Sequence, residues 1–191
     1  MRVVAFNGSA RKDGNTAILL NLVLDEIKKE GVGTELVQLS GKPIQGCIAC
    51  YKCFKSKDGK CAVNTDFAND CIAKMHEADG ILLGSPTYFA NVTASIKALI
   101  ERSGMVARAN GDMFKHKVGA GVVVARRAGA IHVFSSINYF FLIGQMIIPG
   151  SSYWNVASGR EPGEVMNDTE GIQTMKNLGQ NMAWLLKKIH A

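Results

Sequence analysis

The chain has 191 residues, 47% of them hydrophobic and 20% charged, which predicts one globular domain that can bury a substantial core. Its net charge is +6 and its pI about 9.1, yet the basic residues are scattered and not interleaved with aromatic ones, which argues against a nucleic-acid-binding protein. Polar and charged residues interrupt the first 13 positions, so we expect a cytoplasmic protein without a secretory signal.

The sequence predicts strands and helices that alternate along the chain. The predicted strands cover residues 2–9, 34–39, 80–86 and 117–125, with a fifth that begins at 147–148. The predicted helices cover residues 16–29, 66–78 and 131–146, with two more that are capped by Asn91 and Asp168. Such an alternation, joined by right-handed crossovers, forms a parallel sheet with helices on both faces.

The segment from Ile131 to Gly150 contains no acidic residue, lysine or arginine. Four polar side chains, a glycine and a proline interrupt it, so we predict a buried helix that leads into a strand, and no membrane span.

The predicted helix in this segment has more apolar residues than one face can hold. We assign one set to the sheet, Ile131, Phe134, Ile137, Phe141 and Leu142, which leaves Tyr139, Phe140 and Ile143 for another face. Because a monomer seldom exposes such a patch, we expect a homodimer or homotetramer.

The loop after the first strand, Gly8 to Thr16, has the composition of a phosphate site. It provides hydroxyl groups, an amide and two cations beside the free N–H groups at a helix N-terminus. It matches neither a Walker A loop nor the GxGxxG pattern, and the alternative is an ordinary polar loop with capping residues.

Two further loops follow strands at the edge of the sheet where ligands bind in such folds. After the third strand, Tyr88 and Phe89 can pack against a flat ring or only against the rim of the site. After the fourth strand, Gly129 lets the backbone approach a ligand closely, and Arg126 or Arg127 is placed to stabilise negative charge.

Four segments in this order resemble the flavodoxin-like NAD(P)H-dependent FMN reductases, and among them the iron–sulfur flavoproteins: GSARKDGNT, SPTYFANVTASIKALIER, ARRAG and IIPGSSYWNVASG. The resemblance covers nearly the whole chain and implies one FMN-binding domain over residues 1–191, with a cysteine-rich loop at 43–64. The implied fold is a flavodoxin-like α/β three-layer sandwich, with a five-stranded parallel sheet between helices.

The resemblance also implies the residues of the FMN site. Those that would hold the phosphate are Ser9, Arg11, Asn15 and Thr16. Those that would line the isoalloxazine ring are Pro86, Thr87, Tyr88, Phe89 and Asn91, with the backbone of Ala128 and Gly129 on its pyrimidine side. Tyr153 or Trp154 would contact the flavin of a neighbouring chain. Because flavins accept hydride on the ring itself, we expect no catalytic acid or base from the protein.

Four of the five cysteines lie in one short basic segment with the spacing C-x2-C-x2-C-x7-C. A C-x2-C-x2-C run wraps three thiolates around a compact cluster, and an Asp-Gly turn can return a fourth. We therefore predict a 4Fe–4S cluster on Cys47, Cys50, Cys53 and Cys61, as in the iron–sulfur flavoproteins. Zinc is one alternative, although zinc sites more often combine two separate C-x2-C pairs, and a loop of free thiols is the other.

These observations together predict an oxidoreductase that passes electrons from a reduced donor to an acceptor through FMN. The donor would be NAD(P)H in a reductase, or a ferredoxin-like protein in an iron–sulfur flavoprotein. The lysines around the cysteines are suited to bind an acidic carrier. The alternative function is a non-enzymatic FMN- or zinc-binding redox sensor.

Overall fold

The structure, a computed structural model, describes residues 1–191 and has a five-stranded parallel sheet at its centre. The strands are β1 (Arg2–Asn7), β2 (Gly33–Gln38), β3 (Gly80–Pro86), β4 (Val118–Ala125) and β5 (Val156–Ser158). Their spatial order is β2-β1-β3-β4-β5, and every neighbouring pair is parallel. The order reverses between β1 and β3, so the carboxyl ends of these strands border a crevice.

Six α-helices surround the sheet. They are α1 (Asn15–Lys29), α2 (Lys52–Ser56), α3 (Ala68–Glu77), α4 (Ala94–Ala109), α5 (Ala130–Ile143) and α6 (Thr169–Ile189). Helices α1 and α6 cover one face, and α3, α4 and α5 cover the other, which confirms the predicted α/β architecture. None of the helices combines the length and the apolar composition needed to cross a lipid bilayer.

The alternation of side chains along β1 divides the apolar core into two layers. Val3 and Ala5 face α1 and α6, whereas Val4 and Phe6 face α3, α4 and α5, and all four are fully buried. A strand that is buried on both faces needs apolar residues at successive positions, and this explains the continuous apolar run that the sequence shows.

The fifth strand does not lie where the sequence predicts it. Ile147 makes only an isolated parallel bridge to Val118, and the chain then leaves the sheet until Val156 pairs with Val123. Pro149 has no N–H for the ladder, and the glycine and serines after it are poor strand formers. The detour brings Tyr153 to the surface.

Two details of the predicted helices are wrong. Asn91 does not cap α4, because the Oγ1 atom of Thr93 accepts the hydrogen bond from the Ile96 N–H group at 3.5 Å. On α5, Phe140 is buried, whereas Ile131 and Leu142 are 42% and 60% exposed, the reverse of the prediction. Phe140 lies inside because its ring packs edge-on against Phe114, with centroids 6.0 Å apart.

Candidate functional site

A pocket of about 180 Å³ opens at the carboxyl ends of the strands, and we call it the strand-end pocket. Loops after β1, β3, β4 and β5 contribute to its wall. Seven of the predicted site residues line it: Ser9, Arg11, Asn15, Thr16, Pro86, Thr87 and Tyr88. The remaining lining residues are Val124, Arg126, Gly159 and Arg160. The structure therefore brings the loop after β1 and the loop after β3 to one cavity.

The part of the strand-end pocket beside α1 is built to receive an anion. The backbone N–H groups of Asn15, Thr16 and Ala17 have no acceptor in the protein, since they lie in the first turn of α1. Three arginines and no acidic residue line the pocket. Free N–H groups, the positive end of the helix dipole and arginines all favour a phosphate group at this position.

Asn15 reaches the pocket differently from the prediction, because its side chain holds another loop. Its Nδ2 atom donates to the Glu161 carbonyl at 2.9 Å, and its Oδ1 atom accepts from the Gly163 N–H group at 2.8 Å. A Cβ atom on Gly159 would lie 2.8 Å from the Asn15 Nδ2 atom, so only glycine fits there. What Asn15 offers to a ligand is its backbone N–H group.

The sequence reasoning missed Gly159 and Arg160 as wall residues of the strand-end pocket. A signal for them exists, because they follow β5 directly at the same edge of the sheet. We did not recognise it because we predicted that β5 begins at residues 147–148, and Gly159 and Arg160 do not directly follow those positions.

The loop after β3 is a tight turn whose backbone stores strain. Tyr88 and Asn91 exchange both backbone hydrogen bonds, at 3.0 and 2.9 Å, and Phe89 and Ala90 between them have φ angles of +49° and +58°. Two adjacent non-glycine residues in the left-handed region are costly, and such strain is concentrated at functional sites. The Phe89 side chain is fully exposed to solvent.

Beyond Arg126, which lines the strand-end pocket, the loop after β4 packs against this turn. Gly129 has a φ angle of +86°, and a Cβ atom there would lie 3.1 Å from the Ala90 Cβ atom. Ala128 and Gly129 thus lie beside the turn, and Phe89 and Asn91 belong to it, but none of these four predicted residues lines the strand-end pocket.

The residues of the strand-end pocket fit FMN in their chemistry. The Oγ1 atom of Thr87 is buried and has no partner in the protein, which leaves a hydrogen-bonding group for a ligand. The hydroxyl groups of Ser9 and Thr16 lie beside the free N–H groups of α1. Tyr88 adds an aromatic ring to the lining, against which a flat ring system can pack.

The second feature is a pocket lined by all four cysteines of the segment 47–61, and we call it the cysteine pocket. Its remaining wall residues are Ile48, Tyr51, Ala62, Val63, Arg102, Met105 and Val106. Three of these lie on α4, the helix that begins directly after the turn at the strand-end pocket. Ala94 lines an open groove that shares Ser9 and Tyr88 with the strand-end pocket, and from Ala94 to Arg102 the helix axis advances about 12 Å.

The cysteine loop is held against α3 and α4 by side chains. The Glu101 carboxylate accepts from the Cys47 N–H group at 3.2 Å, and the Asn69 side chain accepts from the Cys61 N–H group at 2.8 Å. The Asn110 side chain accepts from the Gly59 N–H group at 2.9 Å. Polar anchors of this kind fix the backbone on either side of the thiols.

The thiols themselves do not form a compact site for a single ion. No group of three or more His, Cys, Asp or Glu side chains lies close enough together to bind one metal ion directly, and the free volume of the cysteine pocket is about 10 Å³. A zinc site needs four ligands around one point, whereas a cluster holds its cysteines apart. The residues therefore fit a cluster in type and number, and the segment around Cys50, which is exposed, would have to move outward to admit it.

The fifth cysteine, Cys71, lies outside this set. It is fully buried on α3 within the core layer that α3, α4 and α5 share with the sheet. Burial raises the pKa of its thiol to about 12, so Cys71 stays protonated and unreactive near neutral pH.

The amino-acid sequence matches the family model of the NADPH-dependent FMN reductases over residues 1–161. The chain belongs to this family. Its relatives include an iron–sulfur flavoprotein of Methanocaldococcus jannaschii, 38% identical over 196 residues with 99% of both chains covered. Another is an iron–sulfur flavoprotein of Methanosarcina thermophila, 31% identical, with 99% of this chain and 97% of the relative covered. The protein is thus an oxidoreductase with an FMN-dependent redox role.

Solved structures confirm the flavodoxin-like fold of this family member. RosB with a bound riboflavin-phosphate intermediate has a TM-score of 0.76 at 17% identity, and the match covers 100% of this chain and 80% of that one. An NAD(P)H:quinone oxidoreductase from Methanothermobacter marburgensis has a TM-score of 0.70 at 12% identity, with 95% and 98% covered. At these identities the likeness concerns the fold alone.

Proposed function

We propose that this protein is an iron–sulfur flavoprotein in which a 4Fe–4S cluster on Cys47, Cys50, Cys53 and Cys61 passes electrons to FMN in the strand-end pocket. The main support is that these four cysteines line one pocket and that α4 runs from this pocket to an open groove beside the strand-end pocket. The relatives named iron–sulfur flavoproteins support it as well. A cluster supplies a one-electron site and FMN a two-electron one, so together they convert between the two chemistries.

In this proposal residues 1–191 form one FMN-binding domain. The loops after β1, β3 and β4 hold the FMN. Ser9, Arg11 and the first turn of α1 bind the phosphate, and Thr16 adds its hydroxyl group. The groups proposed for the ring are Pro86, Thr87, Tyr88, Phe89, Asn91, Ala128 and Gly129. An open groove shares Ser9 and Tyr88 with the strand-end pocket and extends to Pro43 and Ile44, where the cysteine loop begins.

The surface beside the cysteines favours an acidic one-electron carrier, such as a ferredoxin-like protein, as the donor. Lys52, Lys55, Lys57 and Lys60 are exposed there, with a single acidic residue, Asp58, among them. Ile48, Tyr51 and Phe54 expose apolar surface in the same loop. Apolar contacts beside a mainly basic segment suit a transient complex, since charge accelerates encounter and the contact remains small. Five free cysteines suit a reducing compartment such as the cytoplasm.

The exposed surface of α5 favours a homodimer or homotetramer. Tyr139, Leu142 and Ile143 are neighbours on one side of the helix, and each is about 60–70% exposed. They do not pack into the core of the monomer, so a contact with a second chain would bury them. Tyr153 and Trp154 are also half-exposed, and their rings pack at 4.9 Å between centroids.

The test of the cluster is anaerobic purification or reconstitution, followed by iron and sulfide analysis. Wild-type protein should hold about four irons per chain, and replacing Cys50 and Cys53 by Ala should reduce this to below about one. Cys71→Ala is the matched control, because Cys71 is buried away from the cysteine pocket, and it should retain the iron. One zinc per chain, or equal iron in all three proteins, would contradict the proposal.

The donor is tested by mixing the anaerobic protein with reduced ferredoxin or with NADPH and following the flavin absorption. We expect rapid bleaching by ferredoxin that slows at high salt and in a variant with Lys52, Lys55 and Lys57 changed to Glu. Bleaching by NADPH alone, at a rate that these changes leave unaltered, would identify a plain reductase. Bleaching by neither donor would identify an FMN-binding sensor.

A further inference from the structure

The Arg102 side chain on α4 is 1% exposed, and four of its five N–H groups donate to oxygen atoms. Its Nη1 atom donates to the Gln45 carbonyl at 3.1 Å and to the Asp66 carboxylate at 2.9 Å. Its Nη2 atom donates to the Val63 carbonyl at 2.6 Å and to the other Asp66 oxygen at 3.3 Å. These bonds fix the orientation of the guanidinium and therefore the direction of the fifth N–H group.

The fifth N–H group points at one cysteine. The Nε atom of Arg102 donates to the Sγ atom of Cys61 at 3.0 Å. No other cysteine of the set has a charged partner, since Cys47 Sγ accepts only from the Ala49 N–H group at 3.4 Å and Cys53 Sγ lies 3.9 Å from the Met105 carbonyl. Cys61 is thus the one thiol beside a buried cation.

We infer that Arg102 is a positioning residue that raises the reduction potential of the cluster through its hydrogen bond to Cys61. This inference rests on the cluster proposed above. When one electron arrives from the donor, negative charge on the cysteine sulfurs increases, while Arg102 keeps all of its protons. A charge-assisted hydrogen bond strengthens with that charge and so favours the reduced form.

Asp66 offsets this effect only in part. Its oxygens contact the Nη1 and Nη2 atoms, whereas Nε faces the sulfur, so the positive group lies between the carboxylate and Cys61. The dipole of the ion pair therefore presents its positive end to the cysteine pocket.

Arg102 also has a structural role, and the two roles differ in what they predict. Its bonds to the carbonyls of Gln45 and Val63 close the two ends of the cysteine loop on α4. A residue that only holds the loop would change the fraction of chains that contain a cluster. A residue that acts on Cys61 would change the potential of the clusters that are present.

The first test compares reduction potentials, measured by anaerobic redox titration with electron paramagnetic resonance. The double variant Arg102→Met with Asp66→Asn removes the cation without leaving a buried charge unpaired. We expect the equilibrium constant for one-electron reduction to fall about tenfold, which is about 59 mV in a more negative direction. Arg108→Lys, an exposed position on the same helix, is the control and should retain the wild-type potential. An unchanged potential in double-variant molecules with four irons would overturn the inference.

The second test needs no substitution and so does not depend on whether a variant folds. Wild-type protein labelled with ¹⁵N-arginine is reduced, and pulsed electron paramagnetic resonance measures hyperfine coupling between the cluster spin and nitrogen. We expect coupling to a single arginine nitrogen, because one N–H group contacts a ligand sulfur. A cluster with no such coupling would overturn the inference alone. Wild-type protein without any cluster would overturn the proposed function and the inference together.

Discussion

At the scale of single residues, the strand-end pocket differs from an ordinary polar loop in having unsatisfied groups. The Thr87 Oγ1 atom is buried without a partner, and the first N–H groups of α1 have no acceptor. Buried polar groups nearly always have a hydrogen-bond partner. A ligand that forms the missing hydrogen bonds in this pocket therefore gains binding free energy, which an ordinary polar loop at the surface would not provide.

The hydroxyl groups of Ser9 and Thr16 should contribute measurably to FMN affinity. We expect the double change to Ala to lower affinity at least tenfold, since charge-assisted hydrogen bonds contribute about 1.5–3 kcal/mol each. A fluorescence titration of the flavin-free protein with FMN measures this. Removing the hydroxyl groups of Thr34 and Ser136, which lie outside the pocket, is the control. Equal affinity in the two double variants would show that the phosphate binds elsewhere.

The Asp66–Arg102 pair should make the stability of the protein depend on pH in the acid range. Burial opposes ionisation of Asp66, but the N–H groups of Gln45 and Ala68 and the Arg102 guanidinium outweigh it, so the pKa of this carboxyl lies below its ordinary value. A lowered pKa stabilises the folded state above about pH 3.9, the ordinary value, and this stabilisation is lost as the pH falls through the folded-state pKa.

Asp66→Asn should therefore lower the free energy of unfolding by about 3 kcal/mol at pH 6, because it leaves a buried cation unpaired. Urea unfolding at several pH values should show the difference from wild type shrinking below about pH 4. Asp70→Asn, an exposed change on the neighbouring helix, should differ little from wild type. A difference that grows toward acid pH would contradict the direction of the shift.

Sequence reasoning identified seven residues that line the strand-end pocket, and it missed contacts that depend on a partner far away in the sequence. Hydroxyls and arginines after a buried strand indicate an anion site without further information. Asn15 looks like one of them, but its side chain holds a segment that is 146 residues away in the sequence. No local pattern encodes that contact, and the same holds for Arg102 and Cys61.

At the scale of elements, each loop of the strand-end pocket is fixed by another. Asn15 at the start of α1 holds the loop 159–163, which brings Arg160 to the wall. Gly129 after β4 contacts the turn that follows β3. The rigidity of the pocket therefore depends on contacts between loops as well as on the sheet.

Asn15→Ala should loosen the loop 159–163 before any ligand is added. Two hydrogen bonds at about 0.5–1.5 kcal/mol each are lost, so amide hydrogen exchange in residues 160–164 should accelerate about tenfold in the FMN-free protein. Mass spectrometry of peptic fragments measures this. Asn21→Ala lies on the exposed side of α1 and should leave the exchange unchanged. A loss of FMN affinity with normal exchange would instead mean that Asn15 contacts the ligand directly.

Helices and strands were predictable where the sequence has a continuous apolar pattern. They were not predictable where the conformation depends on contacts with another part of the chain. The strands β1, β3 and β4 lie close to their predicted positions because all are buried on both faces. The helix α2 and the left-handed residues Ala49, Tyr51 and Lys57 were not predicted. Their conformations depend on anchors in α3 and α4 that a local reading of residues 43–64 does not contain.

At the scale of the whole molecule, the exposed apolar surface of α5 predicts self-association. The change Leu142→Lys with Ile143→Lys should convert an oligomer into a species near the monomer mass of 20.6 kDa, because it places charge in a desolvated contact. Light scattering at micromolar concentration measures the mass. Trp184→Lys replaces an equally exposed residue on α6 and should leave the oligomer intact. Wild-type protein at the monomer mass would exclude the prediction.

The anchoring of the cysteine loop has a consequence for how the protein is made. The cysteines precede their anchors in the chain, and Arg102 is synthesised 41 residues after Cys61. At bacterial to eukaryotic rates of synthesis, this interval is roughly 2–8 s. During that time four thiols lie on a nascent segment that nothing holds, where they are open to oxidation and to stray metal ions. Assembly of the proposed cluster would thus be a late event, and the newly made chain would need surroundings that keep its thiols reduced until α4 has folded.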